Sequence, residues 1–141
     1  MIVLGCDHGG LDIKNAIIGY LNENGIEFTD LGCYTHDSVD YPVYAKAVCA
    51  EIVSGRAEKG ILCCGTGIGM SIAANKVKGI RAAVLSDEFS AEMTRRHNNA
   101  NVLCLGGRVI DGEKAVKLAK IFLETPYEGG RHDRRVAMLE D

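Results

Sequence analysis

The chain predicts an α/β fold built on a parallel sheet, and three observations carry that prediction. Short apolar runs alternate with longer segments whose apolar residues recur at helical spacing. The breaks between them fall at glycines, prolines and Asn-Gly or Gly-Gly pairs. One run, Gly60 to Cys64, is apolar throughout, as a central strand covered on both faces has to be. Together they read as five strand–helix units.

The units follow in order. Ile2 to Cys6 is the first strand, and Gly9-Gly10 breaks it. Residues 11–24 form a helix with Leu11, Ala16, Ile17, Ile18 and Leu21 on one broad face, ended by Asn24-Gly25. Ile26 to Leu31 alternates apolar and polar, which suits a strand near the sheet edge, and residues 32–41 read as a loop. Pro42 suits a helix first turn, and that helix runs to about Val53 with Tyr44, Val48 and Ile52 four apart. After the central strand come a helix at 68–77, a strand from Arg81 to Leu85, and a helix at 87–97 with Ser86-Asp87 as its cap. Val102 to Leu105 is the fifth strand, Asp111 caps a helix to about Leu123, and Thr125-Pro126 stops it. A short polar helix at 131–140 closes the chain.

The 141 residues suit one domain, 1–141, with no linker or repeat. A 47% hydrophobic, 25% charged composition is that of a globular chain with a full core. The net charge of −3 offers no basic footprint for nucleic acid. No apolar run approaches the roughly 20 residues that span a bilayer, and no positive region precedes the first apolar run, so it reads as a strand and not a signal peptide. The six cysteines include no C-x-x-C pair. Cys63 and Cys64, being adjacent on a strand, point to opposite faces and would not ligate one ion. The expected compartment is the reducing cytoplasm, with free thiols, and the cysteine placement suggests no metal.

The chemistry concentrates at Cys64-Gly65-Thr66-Gly67-Ile68-Gly69, a strand that ends in a thiol, a glycine-rich turn and a helix start. The glycines leave room for a ligand near the backbone. The first amides of the helix lack intrahelical partners and, with the dipole, favour an anion. A thiol there is placed as base or nucleophile. The alternative is a tight turn beside a buried, inert cysteine. The pattern is G-x-G-x-G and not the dinucleotide G-x-G-x-x-G, and no Gly-Lys-Ser/Thr follows.

Parallel α/β sheets bind ligands at the carboxyl ends of their strands. By that rule Asp7-His8, the turn after Cys64, Ser86-Asp87, the helix end at Arg96-His97-Asn98-Asn99, and Arg108 are expected around one cleft. Each has a plain structural reading as well. Asp7 suits a helix cap, His97 and Asn98 suit a helix C-terminus, and Arg108 suits a solvated surface. The cluster Gly129-Gly130-Arg131-His132-Asp133-Arg134-Arg135 could be a solvated face, yet Arg131 and Arg135 share one helix side, and two guanidinium forks match a phosphate.

With these motifs the chain closely resembles the sugar-phosphate isomerase family that contains type B ribose-5-phosphate isomerases and galactose-6-phosphate isomerase subunits. The matching segments are Gly5-Cys6-Asp7-His8-Gly9-Gly10, Asp40-Tyr41-Pro42, Cys64 to Gly69, Ser71-Ile72-Ala73-Ala74-Asn75-Lys76, Gly79-Ile80-Arg81-Ala82, Arg96-His97-Asn98, Asn101-Val102-Leu103, and Gly129 to His132 with Arg135-Val136. The resemblance implies a three-layer αβα domain, flavodoxin-like or Rossmann-like, in a homodimer or tetramer with its active site at the subunit interface. It implies cofactor-free interconversion of ribose 5-phosphate and ribulose 5-phosphate. Cys64 would be the base, the backbone of Gly65, Gly67, Ile68 and Gly69 the enediolate hole, and Thr66 and His97 the ring-opening helpers. Asp7, His8 and Asn98 would contact the sugar, and Arg108, Arg131 and Arg135 the phosphate, some from the neighbouring subunit. Arg134 has no role by this likeness. Relatives with a carboxylate base carry it on the following helix, where Ile72-Ala73-Ala74 has none. A six-carbon sugar phosphate is the nearest rival substrate. A nucleotide-binding module is disfavoured because the end of the second strand, read as Leu31-Gly32-Cys33, lacks an acid for a ribose.

Overall fold

The structure, a computed structural model, describes residues 1–141. Its elements are β1 (Ile2–Cys6), α1 (Leu11–Glu23), β2 (Phe28–Asp30), α2 (Tyr41–Val53), β3 (Lys59–Cys64), α3 (Ile68–Asn75), β4 (Ala82–Val84), α4 (Glu88–Asn98), β5 (Val102–Gly106), α5 (Gly112–Glu124) and α6 (His132–Leu139). The five strands form one all-parallel sheet in the order β2-β1-β3-β5-β4. No helix is long and apolar enough to cross a membrane.

Strand side chains alternate between faces, and the alternation sorts the core into two clusters. Val3, Leu62, Cys64, Val102 and Cys104 pack with Val48 and Cys49 of α2 and Met70 and Ala74 of α3. Leu4, Cys6, Ile61, Cys63, Leu103 and Leu105 pack with Ile17 of α1, Ala91 of α4, and Leu118 and Phe122 of α5. The result is the expected three-layer αβα sandwich, with Cys63 and Cys64 on opposite faces.

Burial explains the strand order. β3 and β5 lie inside the sheet, and every residue of β5 is buried. The short β4 has no fully buried residue and takes one edge, as β2 takes the other. Relative to the flavodoxin order 2-1-3-4-5, the last two strands are exchanged. β2 and β4 are also shorter than the sequence suggests, because an edge strand has only one neighbour to hold its ends. The two aspartate caps are in place: Asp87 accepts the Ser90 amide at 2.7 Å and Asp111 accepts the Lys114 amide at 2.8 Å.

Every helix between parallel strands runs back against them, so it starts near their carboxyl ends and finishes near their amino ends. α4 obeys this. Just past its end, the Asn101 amide donates to the Arg81 carbonyl at 3.0 Å and the Arg81 amide to Asn101 Oδ1 at 2.8 Å, at the amino ends of β4 and β5. The C-terminal segment folds across the same pole, where Glu140 pairs with Arg81 at 2.6 Å.

Candidate active site

At the carboxyl pole, on either side of the point where strand order reverses between β1 and β3, three loops stack closely. The Gly107 amide donates to the Cys64 carbonyl at 2.8 Å, and the Arg108 amide to the Gly65 carbonyl at 2.9 Å. A Cβ on Gly9 would sit 2.9 Å from the Gly65 amide nitrogen, and one on Gly107 would sit 2.2 Å from the Gly9 carbonyl oxygen. The glycines of these loops therefore serve loop-on-loop packing first. The same holds for two of the three glycines expected to admit a ligand. Gly67 has a positive φ of 80°, and a Cβ there would sit 2.9 Å from the Leu105 backbone, while one on Gly69 would sit 2.7 Å from the Tyr41 ring. At Gly65 a Cβ would meet the Arg108 guanidinium, at 3.1 Å.

Cys64 is 5% exposed, where Cys6, Cys63 and Cys104 are at 0%. Its Sγ accepts the Gly67 amide at 3.1 Å, which ties the sulfur to the turn. Burial raises the thiols of Cys63 and Cys104 well above their ordinary range, which removes them as bases near neutral pH. The amides of Gly65, Thr66 and Gly69 donate to no protein acceptor, and the Ile68 amide donates to Thr66 Oγ1 at 3.2 Å. So the turn offers three unpaired N–H groups beside a thiol at a helix N-terminus.

Asp7 does not cap α1. Its Oδ1 accepts the Gly9 amide at 2.9 Å and fixes the loop, and Gly10 holds the cap position with no side-chain bond. His8 Nδ1 accepts the Val39 amide at 3.2 Å, which leaves the proton of a neutral ring on Nε2. Arg108 is exposed and forms no ion pair.

His97 and Asn98 are not in this group. They end α4 at the opposite pole of the sheet, so the single cleft expected around both Cys64 and His97 does not exist within one chain. Gly60 pairs with Val102 at the amino pole and Cys64 with Gly106 at the other, a climb of about 13 Å along the strand. The sequence places both residues at loop ends, and only the direction of α4 separates them. The His97 ring stacks on His132, with centroids 4.4 Å apart and planes 16° apart, and Arg131 and Arg135 are exposed nearby on the first turns of α6. Neither arginine has a carboxylate partner, nor has Arg134. The two cavities along the β4 edge, about 420 and 460 Å³, share Asn98 and Thr94 and do not reach Cys64.

One expectation about the second strand needs correction. β2 ends at Asp30, an acid, and not at Leu31-Gly32-Cys33. That carboxylate is already engaged: Oδ1 accepts from the buried Lys14 ammonium at 2.6 Å and from the Gly32 amide at 2.9 Å, so it is not presented to a ribose. Lys14 is a position of consequence that the sequence reading did not single out, and a lysine on an otherwise apolar helix face is the signal for it; Tyr41 and His132 lie in segments matched to the family but were given no role.

A family model described as Ribose/Galactose Isomerase matches residues 2–139. The chain belongs to the ribose/galactose isomerase family. It is an aldose–ketose isomerase, an intramolecular oxidoreductase. Within this family it is 47% identical over 138 residues to ribose-5-phosphate isomerase B of Escherichia coli (strain K12), covering 98% of this chain and 93% of that protein. It superposes on the crystal structure of a ribose 5-phosphate isomerase from Thermotoga maritima with a TM-score of 0.96 at 48% identity, covering 99% and 96% of the two chains. The likeness to ribose-5-phosphate isomerase B from Mycoplasma genitalium with bound ribulose-5-phosphate has a TM-score of 0.93 at 40% identity, covering 99% and 93%.

Proposed function

We propose that this chain interconverts D-ribose 5-phosphate and D-ribulose 5-phosphate in the cytoplasm, with Cys64 as the base. The Cys64 sulfur takes the C2 proton of the open-chain aldose as the electron pair moves to the carbonyl oxygen, giving an enediolate; the O2 hydroxyl proton passes to O1, and the proton held on sulfur goes to C1 as the C2 carbonyl forms. The amides of Gly65, Thr66 and Gly69, which have no protein acceptor, are the donors this reading gives to that negative charge, and such donors are worth about 3–4 kcal/mol each in comparable holes. The observation that carries the reading is the Cys64 sulfur held at the mouth of this unpaired amide turn. The relatives named for ribose 5-phosphate, one of them with ribulose-5-phosphate bound, favour the five-carbon substrate over a six-carbon one.

We read the site as completed by a second copy of the chain. His97 as acid, Asn98 as hydroxyl contact, and Arg131 and Arg135 as phosphate ligands would then reach the Cys64 turn of the partner, with Arg108, Asp7 and His8 supplied beside that turn. An exposed apolar stripe supports this: Ile68 and Ile72 lie four apart on α3, with Val84 beside them on the open edge strand. A two-fold axis across that stripe and perpendicular to the strands would set the carboxyl pole of one chain against the amino pole of the other.

A coupled assay with ribose 5-phosphate and allose 6-phosphate, run side by side, tests the proposal. The five-carbon sugar should turn over faster, and Cys64→Ala should lose about 10²–10⁴-fold in kcat, the usual worth of a positioned base. Faster turnover of the six-carbon sugar would overturn the substrate, and near-normal turnover by Cys64→Ala would overturn the base.

A further inference from the structure

The amino pole holds a group of side chains with a chemistry of its own. One nitrogen each from His97 and His132 and one carboxylate oxygen from Glu128 all lie within 4.8 Å of one another. His132 is 6% exposed, yet its Nε2 has no aligned hydrogen-bond partner; Glu128 Oε1 is 3.3 Å away but off the direction of an N–H bond. A buried ring nitrogen left unpaired is costly, because it has given up water and gained nothing in return. The scaffold around it is firm. The Glu128 amide donates to the Arg96 carbonyl at 3.1 Å, and the buried Arg95 side chain donates to the Thr125 carbonyl at 3.3 Å and the Ala100 carbonyl at 2.6 Å. These bonds clamp the end of α4 to the strand of chain that carries Glu128 and His132.

We propose that His97, Glu128 and His132 form a binding site for a divalent cation of the zinc class. Two imidazoles and one carboxylate are the donor set of a zinc ion that keeps a fourth position open. Ligand atoms around zinc stand a little over 3 Å apart, given bond lengths of about 2.0–2.2 Å. Closing the group therefore takes a shift of about 1.5 Å, within the range of χ rotation at the exposed Glu128 and the half-buried His97, while His132 stays put. Arg96 Nη1 stands 4.0 Å from Glu128 Oε2, so the other carboxylate oxygen, Oε1, is the one left for the ion, and Arg131 and Arg135 are exposed. The bound ion satisfies the orphaned His132 nitrogen, which is what the apo arrangement lacks.

The site shares His97 with the proposed reaction. Resting on that reading, an occupied site withdraws the imidazole lone pair from proton transfer, so zinc inhibits the isomerase and a chelator restores it.

The test is binding of Co²⁺ and Zn²⁺ to the untagged full-length protein, by absorption spectroscopy and calorimetry. One ion per chain is expected, with the visible bands of nitrogen and oxygen ligands. Glu128→Gln and His132→Ala should each weaken binding by about tenfold or more with the far-ultraviolet circular dichroism unchanged. A sulfur-to-cobalt charge-transfer band, placing the ion on cysteine, would overturn the site, as would unchanged affinity in both variants. Because binding is read spectroscopically, bound zinc without loss of turnover counts against His97 as the acid and leaves the ion site standing.

Discussion

The division of candidate residues between two poles makes a quantitative prediction. Cys64 and His97 lie at opposite ends of the sheet, separated by about 13 Å of strand height, and a proton donor has to come within about 2.6–3.2 Å of its acceptor. Within one chain they cannot serve the same sugar. In a two-fold dimer each site takes Cys64 from one copy and His97 from the other. The Cys64→Ala and His97→Ala homodimers should then both be nearly inactive, because each has lost one half of both sites. When they are mixed in equal amounts and allowed to exchange, half of the dimers are hybrids. Each hybrid pairs an intact Cys64 with an intact His97 at one of its two sites. Activity should therefore rise to about one quarter of wild type, against about a hundredth or less for either parent. The coupled ribose 5-phosphate assay reads the rise, and native mass spectrometry verifies that hybrids form. Verified hybrids with no gain in rate would mean that both residues serve a site within one chain, or that His97 serves none, and the two-copy reading would fail.

Further outcomes follow from single interactions. Arg131→Ala should raise KM for ribose 5-phosphate strongly with a smaller effect on kcat, since the phosphate lies remote from the reacting carbons; an unchanged KM would place the phosphate elsewhere. Gly67→Ala puts a Cβ at positive φ and 2.9 Å from the Leu105 backbone, and thermal unfolding should show a loss of about 2 kcal/mol or more. Lys14→Met strands the partly buried Asp30 carboxylate 2.6 Å from where the ammonium was, and denaturant midpoints should show a cost of about 3–5 kcal/mol that a second change, Asp30→Asn, partly restores. Burial pushes the Cys49 thiol up to about 11 from 9.0 and the Cys6 thiol up to about 12, so the folded state prefers both neutral; that stability is complete below pH 9 and is lost as pH climbs through the folded values, and Cys49→Ala should flatten the alkaline fall in the unfolding midpoint.

Much of the fold was legible because burial leaves a periodic record in composition. The apolar run at Gly60–Cys64 marked the central strand, and the alternation at Ile26–Leu31 marked an edge. The aspartates at 87 and 111 marked helix starts that the structure caps as expected. The exchange of β4 and β5 was not read. Yet the contrast between Val102–Gly106, wholly buried, and the three half-exposed residues of β4 is the physical reason for it. Strand ends at the edges were overestimated, since hydrophobicity continues where pairing stops.

Read residue by residue, the sequence puts the candidate site in one cleft, while the structure puts its members at two poles, for a reason that lies in topology. The rule that ligands gather at strand carboxyl ends applies to loops that leave strands. Asp7, Cys64 and Arg108 all follow strands and do meet there. His97 and Asn98 precede one, so the same rule sends them to the far pole, together with α6. A sequence lists residues along one chain, and a group of ligands drawn from two copies has no signature in that order. What the single chain retains is the incompleteness of each half: unpaired amides and a tethered thiol at one pole, arginines without carboxylates at the other. On the proposed reading each half lacks what the other supplies: the first offers donors for an oxyanion and the thiol base, and the second offers the acid His97 and cations for a phosphate. On the proposed reading, two copies related by a two-fold axis are the smallest assembly that would bring these halves together, and it would do so twice.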